Sequence, residues 1–342
     1  MKTAGIVIGG GAFGTALASI LAKSVDQVVI KVRSDDIYEA INKGENSIYL
    51  PGLKLPKNIC AAKTWEELDQ KLNGHENKLI ISGLPAAAIR EFFSENKERF
   101  EKMFKAGIPL VSLSKGIDPV TLELSDDLFF DFFNNYKENI LFLSGPSFAK
   151  EIIQEQITLV TLAGRHKGML EDVSKLLECT YFKALPSYDV KGVLLGGALK
   201  NVLAIAGGIV EGLGFNHNTR AAMITRGIAE MLRFGKVFNA RPETFYGLSG
   251  MGDLILTTTG ELSRNKTFGI EIAKGRKAKD IIASQRSVVE GYKTTLAVHQ
   301  LSKKYDVHAR IFGGVYQVLY EDVDPRMVIE GLMDSPSRFE ID

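Results

Sequence analysis

Short apolar runs alternate with longer amphipathic stretches through the first half of the chain. The runs at 5–8, 28–32, 79–81, 110–113 and 140–143 are continuous rather than alternating, the pattern of strands buried on both faces of a parallel sheet. Between them lie helix signals. Thr64-Trp-Glu-Glu67 has the spacing of a capping box, and Pro85 with the alanines after it opens another helix. Two late strands, 157–162 and 181–184, flank a helix at 168–177. Strands alternating with helices predict a doubly wound, Rossmann-type α/β domain over residues 1–185. From Pro186 onward helical stretches follow one another with glycine-bearing turns, which predicts an all-helical second domain over 186–342. No repeat or flexible linker separates the two, so a ligand is expected in the cleft between them.

The glycines at 9–14 sharpen this picture. Gly9-Gly-Gly11-Ala-Phe-Gly14 follows the first apolar run directly and leads into a helical stretch at 15–22. In a dinucleotide site the first glycine (Gly9) makes the turn. The second (Gly11) lets backbone approach a pyrophosphate, and the third (Gly14) lets helix pack on strand. The helix N-terminus then turns free N–H groups toward the phosphates. The second strand ends at Lys31-Val-Arg33-Ser34, where an NAD site ordinarily carries Asp or Glu. Arg33 offers a guanidinium to a 2′-phosphate, so NADP(H) is favoured; Asp35 and Asp36 keep NAD(H) possible. A plain solvated arginine is the alternative for Arg33.

One charge interrupts the longest apolar run. Lys200 sits within residues 192–210, which carry no other charged side chain. Burial there pulls an ammonium pKa toward neutrality, which suits proton exchange with a hydroxyl or carbonyl. The alternative is a lysine whose stem crosses the apolar face while its head reaches water. Three other segments join polar groups to tight turns: Ser112-Leu-Ser-Lys115-Gly116, Ser144-Gly145-Pro-Ser147-Phe-Ala-Lys-Glu151 and Gly250-Met-Gly252-Asp253. Asp253 is either a helix N-cap or a carboxylate lining the cleft beside Lys200. Ser263-Arg264-Asn265 precedes a helical stretch at 267–274 and is either an anion site or an ordinary capped helix.

Composition narrows the function classes. The chain has 342 residues, 45% of them apolar and 24% charged, with a formal net charge of +1. That balance gives no electrostatic reason to expect nucleic acid or an anionic membrane as partner. Residues 5–22 carry no charge, but they break at Gly9-Gly10-Gly11 and show no cleavage signal, so neither a membrane span nor a secretory leader is expected. Cys60 and Cys179 lie far apart and suit a reducing cytoplasm. The five histidines form no ligand spacing, so no metal is expected.

Taken in order, these motifs resemble those of the bacterial NAD(P)-dependent glycerol-3-phosphate dehydrogenases. The matching stretches are 9–14, Tyr49-Leu-Pro51, Ser114-Lys115-Gly116, Gly145-Pro-Ser-Phe-Ala-Lys-Glu151 and Gly196-Gly-Ala-Leu-Lys-Asn201. They continue through Ile224-Thr-Arg-Gly227, Gly252-Asp253-Leu254, Ser263-Arg-Asn265 and Val288-Val-Glu-Gly-Tyr292. The resemblance implies interconversion of sn-glycerol 3-phosphate and dihydroxyacetone phosphate, which supplies phospholipid synthesis. It implies Lys200 as proton acceptor. Substrate contacts would come from Lys115, Gly145, Ser147, Lys200, Asp253, Ser263, Arg264 and Asn265. Cofactor contacts would come from Gly9, Gly11, Ala12, Phe13, Gly14, Arg33, Lys115, Ala149, Arg264, Val288 and Glu290. Ala12 departs from the serine common in the family, and Arg33 stands where some relatives have histidine. A cytoplasmic homodimer is implied as well. Two other readings stay open from the residues alone: a reductase of a small keto acid on the same plan, with Arg264 binding the carboxylate, and a non-catalytic NADPH sensor.

Overall fold

The computed structural model describes residues 2–284 and 289–334. Eight strands form one sheet: β1 (Lys2–Ile8), β2 (Gln27–Lys31), β3 (Ile59–Ala62), β4 (His75–Ser82), β5 (Leu110–Ser112), β6 (Ile140–Ser144), β7 (Thr158–Ala163) and β8 (Phe182–Ser187). Their spatial order is β3-β2-β1-β4-β5-β6-β7-β8. Strands β1 to β6 are parallel. The winding reverses between β1 and β4, and in such sheets a crevice opens beyond the carboxyl ends at that point.

Two features differ from the strands and the parallel sheet read from the sequence. β7 runs antiparallel to β6, with Phe142 opposite Ala163, and β8 then pairs parallel to β7. The β6–β7 connection carries one helix of five residues, Ala149–Ile153. Such a helix rises only about 7.5 Å. That is too short to return along a strand, so the chain re-enters the sheet from the same end. β3 is the second difference. Its Ile-Cys-Ala-Ala sequence is too short and too small-sided to announce a strand, and its pairing with β2 holds it in place. At Thr64 the expected cap is present: its hydroxyl accepts from the Glu67 amide at 3.1 Å. The carboxylate of Glu67 turns back one residue further than a capping box would place it, to the Lys63 amide at 2.8 Å.

Beyond Ser187 every regular element among the described residues is helical. The Val190–Gly212 helix is the axis of this domain. It is long and apolar enough to cross a bilayer, but its apolar window is wholly buried within the fold. Around it pack the helices His217–Val237, Asp253–Thr259, Arg264–Ala273, Glu290–Lys304 and Arg310–Tyr320. Its N-terminus is capped by Asp189, whose carboxylate accepts from the Gly192 amide at 3.0 Å and from the Thr244 hydroxyl at 2.6 Å.

The two domains share interior. Phe93 lies 4.7 Å from Phe100 and 4.8 Å from Phe129, edge-on in each case. This aromatic cluster under one sheet face is continuous with Val193, Leu199 and Phe312 of the helical domain. Lys191 adds a polar strut. Its ammonium meets the buried Asp126 at 2.8 Å and Asp127 at 2.7 Å, both on the Ser125–Phe133 helix of the sheet domain.

The axial helix and the Arg264–Ala273 helix touch backbone to backbone. A Cβ on Gly208 would stand 2.0 Å from the Lys266 carbonyl oxygen, and one on Gly269 would stand 2.2 Å from that of Ile205. Neither neighbour is a movable side chain. Gly269→Ala is therefore expected to force the helices apart and cost about 1–3 kcal/mol. The check is a urea titration in which the midpoint falls while the slope is kept.

Candidate functional site

The glycine loop joins β1 to the helix Ala12–Leu21. Gly9 has φ +98°, a left-handed conformation that favours glycine. A Cβ on Gly14 would stand 2.6 Å from the Gly9 carbonyl oxygen, and one on Gly83 would stand 3.3 Å from the Gly14 Cα. The loop is thus packed as tightly as backbone allows on the side facing β4. On Gly11 a Cβ would meet nothing within 4 Å, and no side chain caps the helix that follows. Free N–H groups at a helix start, beneath open space, form a cradle for a pyrophosphate. Asn46 holds this loop from behind. It is fully buried and donates to the Gly10 carbonyl and to the Thr15 hydroxyl oxygen, each at 2.9 Å. Arg33 lies exposed just past the end of β2, which reaches the loop where the Gly9 amide donates to the Lys31 carbonyl at 2.9 Å.

At the carboxyl edge of the sheet three charges meet in a line. Lys200, from the middle of the axial helix, places its ammonium 3.1 Å from Asp253 Oδ1. Lys115, from the loop after β5, places its own 2.9 Å from Asp253 Oδ2. All three side chains are nearly inaccessible, at 8%, 2% and 11% exposure for Lys200, Asp253 and Lys115. Asp253 opens its helix as the first helical residue, and its carboxylate makes no cap. Lys115 also donates to the Gly145 carbonyl at 3.1 Å, and its ammonium lies 5.2 Å from the centre of the Phe13 ring. Gly145 has φ +141°, and a Cβ there would stand 2.9 Å from the Val160 Cα. The hydroxyl of Ser147 donates to the same Gly145 carbonyl at 2.7 Å.

Burial pulls the Lys200 pKa below the ordinary lysine value, and the charge of Lys115 adds to that. Asp253 opposes it. Burial alone would raise Asp253, but Lys115 and Lys200 together hold it below the usual carboxylate range. Glu290, at the start of the Glu290–Lys304 helix, is pushed up by burial against the pull of Arg264, Lys200 and Lys115.

A chain of amides joins this cluster to the Arg264–Ala273 helix. Asn201 Nδ2 donates to the Lys115 carbonyl at 3.0 Å. Asn265 Nδ2 donates to Asn201 Oδ1 at 2.9 Å, and its own Oδ1 accepts from the Gly291 amide at 3.1 Å. Ser263 is turned inward and caps the helix, accepting from the Lys266 amide at 3.3 Å. Arg264 is exposed beside it. The helix begins at Arg264, earlier than the periodicity at 267–274 indicates.

The structure therefore gathers Lys115, Gly145, Ser147, Lys200, Asp253 and Asn265 into one network, with Phe13 and Glu290 at its side. Ala12 opens the helix behind the glycine loop and Ala149 opens the short helix after β6. Arg33 stands apart, toward the far end of the loop. Val288 lies outside the described residues. Asn201, Gly291 and Asn46 went without assigned roles in the sequence. Asn201 could have been found as the second polar residue in the apolar run, whereas Asn46 leaves no signal because its partners are set by tertiary packing.

A glycine-lined cradle at a topological switch point, with a buried lysine–carboxylate pair facing it from a helical domain, defines a nicotinamide-dependent dehydrogenase. Comparison with known proteins agrees. Models of the NAD-dependent glycerol-3-phosphate dehydrogenase N-terminus and C-terminus match residues 6–170 and 189–330. Relatives named as NAD(P)+ glycerol-3-phosphate dehydrogenases include one from Leptospira biflexa, 41% identical over 329 residues and 96% of each chain. Another, from Syntrophotalea carbinolica, is 38% identical over 98% of this chain and 99% of its own. The crystal structure of the Coxiella burnetii glycerol-3-phosphate dehydrogenase superposes with a TM-score of 0.87 at 31% identity, covering 98% and 99% of the two chains. The chain belongs to the NAD-dependent glycerol-3-phosphate dehydrogenase family. D-mandelate dehydrogenase, at 14% identity and a TM-score of 0.59, shares the fold alone.

The charge line has a consequence for stability. Removing the carboxylate in Asp253→Asn leaves two buried ammonium groups facing each other, which costs about 3–5 kcal/mol while both are protonated. Lys200 has a lowered folded-state pKa, so the unfolded chain binds its proton more tightly and raising the pH relieves the penalty. The loss of stability in Asp253→Asn is expected to be smaller at pH 9 than at pH 7, as read from urea midpoints at the two pH values.

Proposed function

We propose that the cleft interconverts sn-glycerol 3-phosphate and dihydroxyacetone phosphate, with Lys200 exchanging the proton at the reacting oxygen. The observation that carries this reading is the buried Lys200–Asp253–Lys115 line. A bound nicotinamide supplies or accepts the hydride at the carbon. Lys200 gives its proton to the carbonyl oxygen during reduction and, neutral, takes it back from the hydroxyl during oxidation. Asp253 aims the amine. Lys115, fixed by Asp253 and the Gly145 carbonyl, presents a second positive charge to the oxygen as negative charge develops on it. The phosphate docks at Ser263-Arg264-Asn265, where the exposed Arg264 guanidinium and the helix N-terminus favour a dianion. Gly145 and Ser147 complete the substrate wall.

The cofactor side of the reading draws on the cradle of Gly9, Gly11 and Gly14, on Ala12 and Phe13 in the following helix, and on Ala149 and Glu290; the resemblance adds Val288 to this set. Arg33 favours NADP(H) over NAD(H) by offering a guanidinium beside the far end of the loop. We place the division of labour at 185/186: residues 1–185 hold the nucleotide and 186–342 bring the acid–base and phosphate groups. Lys115, Gly145 and Ser147 reach across from the first. The unpaired thiols of Cys60 and Cys179 suit a cytoplasmic setting, where the product feeds phospholipid synthesis. The homodimer implied by the family belongs to the same reading.

Two measurements test it. Lys200→Ala is expected to lower turnover of dihydroxyacetone phosphate by about 10²–10⁴-fold while NADPH binding, followed by fluorescence titration, is kept. Turnover near that of the unsubstituted enzyme would remove Lys200 from the mechanism. For the nucleotide, Arg33→Ala is expected to raise KM for NADPH about tenfold, the scale of one charge-assisted contact, and to leave KM for NADH in place. Equal changes for both cofactors would assign Arg33 to the surface.

A further inference from the structure

Behind the Ser263–Asn265 turn lies a second charged cluster that the proposed chemistry does not use. Lys266 is only 5% exposed, an unusual place for an ammonium group. Its Nζ donates to the Thr259 carbonyl at 3.2 Å and pairs with Glu211 Oε2 at 3.1 Å. Glu211 sits in the last turn of the axial helix and also receives Arg220 Nη2 at 2.7 Å from the His217–Val237 helix. The backbone N–H of Lys266 is the donor that Ser263 caps. One residue therefore ties both ends of the 259–266 segment. Its side chain holds the last residue of the helix that begins with Asp253, and its amide holds the start of the helix that presents Arg264.

Between those two ends the segment passes the loop that follows β6. A Cβ on Gly260 would stand 2.6 Å from the ring of Phe148, which belongs to the loop carrying Gly145 and Ser147. The segment is thus pinned by Phe148 in front and by Lys266 behind, and Glu211 and Arg220 fix Lys266 in turn. The Thr259 carbonyl is an end group of its helix and needs a donor. Lys266 supplies it, in a place where loss of that donor would free the segment.

We propose that Lys266 and Glu211 are positioning residues for the substrate's phosphate: they hold the 259–266 segment so that the N–H groups and guanidinium at 263–265 stay aimed at the anion. The proposal rests on the reading that the phosphate docks at this turn. A group bound equally in the ground and transition states affects KM rather than kcat. Slackening the segment should therefore weaken binding of the phosphorylated triose without slowing the proton and hydride steps. A substrate lacking the phosphate should not register the change.

The test uses the full chain with dihydroxyacetone phosphate and, in parallel, phosphate-free dihydroxyacetone. Glu211→Gln is expected to raise KM for dihydroxyacetone phosphate about tenfold, the scale of one charge-assisted hydrogen bond. Its kcat should stay near that of the unsubstituted enzyme, as should kcat/KM for dihydroxyacetone. Lys266→Met should give a larger rise. Lys266→Arg should recover most of it, because a guanidinium can serve Thr259 and Glu211 together. An unmoved KM would overturn the proposal. So would an equal fall in kcat/KM for both substrates, which marks a general structural role. Glu211, at the edge of the cluster, carries the test alone if Lys266→Met does not fold. Failure of the underlying reading would show before any substitution, as an unsubstituted enzyme with no greater kcat/KM for the phosphorylated triose than for dihydroxyacetone.

Discussion

One buried carboxylate, Asp253, is shared by two buried ammonium groups, and the site is organised around that imbalance. A single negative charge cannot compensate two positive ones away from water. The cost falls unequally. Lys115 has a second acceptor in the Gly145 carbonyl and lies over the Phe13 ring, whereas among the described residues Lys200 finds Asp253 alone. Burial holds the Lys200 pKa below its ordinary value, which suits the proton exchange proposed for it. The same carboxylate couples the domains. Lys115 arrives from the loop after β5, while Lys200 and Asp253 belong to the helical domain. Their alignment depends on the shared core that runs from the Phe93 cluster to Val193 and Leu199.

The distance between Lys200 and the Ser263–Asn265 turn proposed for the phosphate is set in a different way. Lys200 and Asn201 ride on the axial helix, and Arg264 and Asn265 on the helix packed against it. Gly208 and Gly269 bring the two backbones into direct contact, and Gly212 leaves room for Ala273. Rotamer changes cannot alter a spacing made by backbone contact. The amides of Asn201 and Asn265 cross the seam at 2.9 Å and lock its register. Reaction on a triose phosphate needs the carbonyl at one end and the phosphate at the other held at a fixed separation. A seam of backbone contact suits that positioning.

Much of this was legible in the chain, for reasons that differ by residue. The glycine loop reads clearly because its spacing answers to backbone conformation, a local matter. Lys200 stands out because one charge in an apolar run breaks the pattern. Asp253 was ambiguous between cap and cleft. A helix start looks the same from sequence in either role, and its partner Lys200 lies 53 positions away. The antiparallel β7 was hidden because strand direction depends on how far the Ala149–Ile153 helix can carry the chain. β3 was missed because partner strands, rather than its own side chains, make it a strand. The clasp of Lys266 was invisible for a third reason. Lysine near a helix start reads as a solvated residue, and only the fold shows that it is buried.

The substrate itself enters the electrostatics of the cleft. Lys115, Lys200 and Arg264 face Asp253 and Glu290, so this cluster carries a small positive excess when all five are ionised. A phosphate monoester brings roughly −1.5 to −2 charges at neutral pH. Its arrival reverses the sign of the local field. Burial lowers the Lys200 pKa and the bound dianion raises it, so the two effects oppose each other. In the proposed reaction the shift toward the ammonium form would favour reduction of the carbonyl. Glu290 feels the same dianion as a repulsion and is pushed further toward its neutral form. A lysine paired only with water would not be moved so far, because solvent would screen both effects. Isolation from solvent makes Lys200 responsive to the charge beside it, and in the proposed mechanism that would let one residue serve as acid in one direction and base in the other.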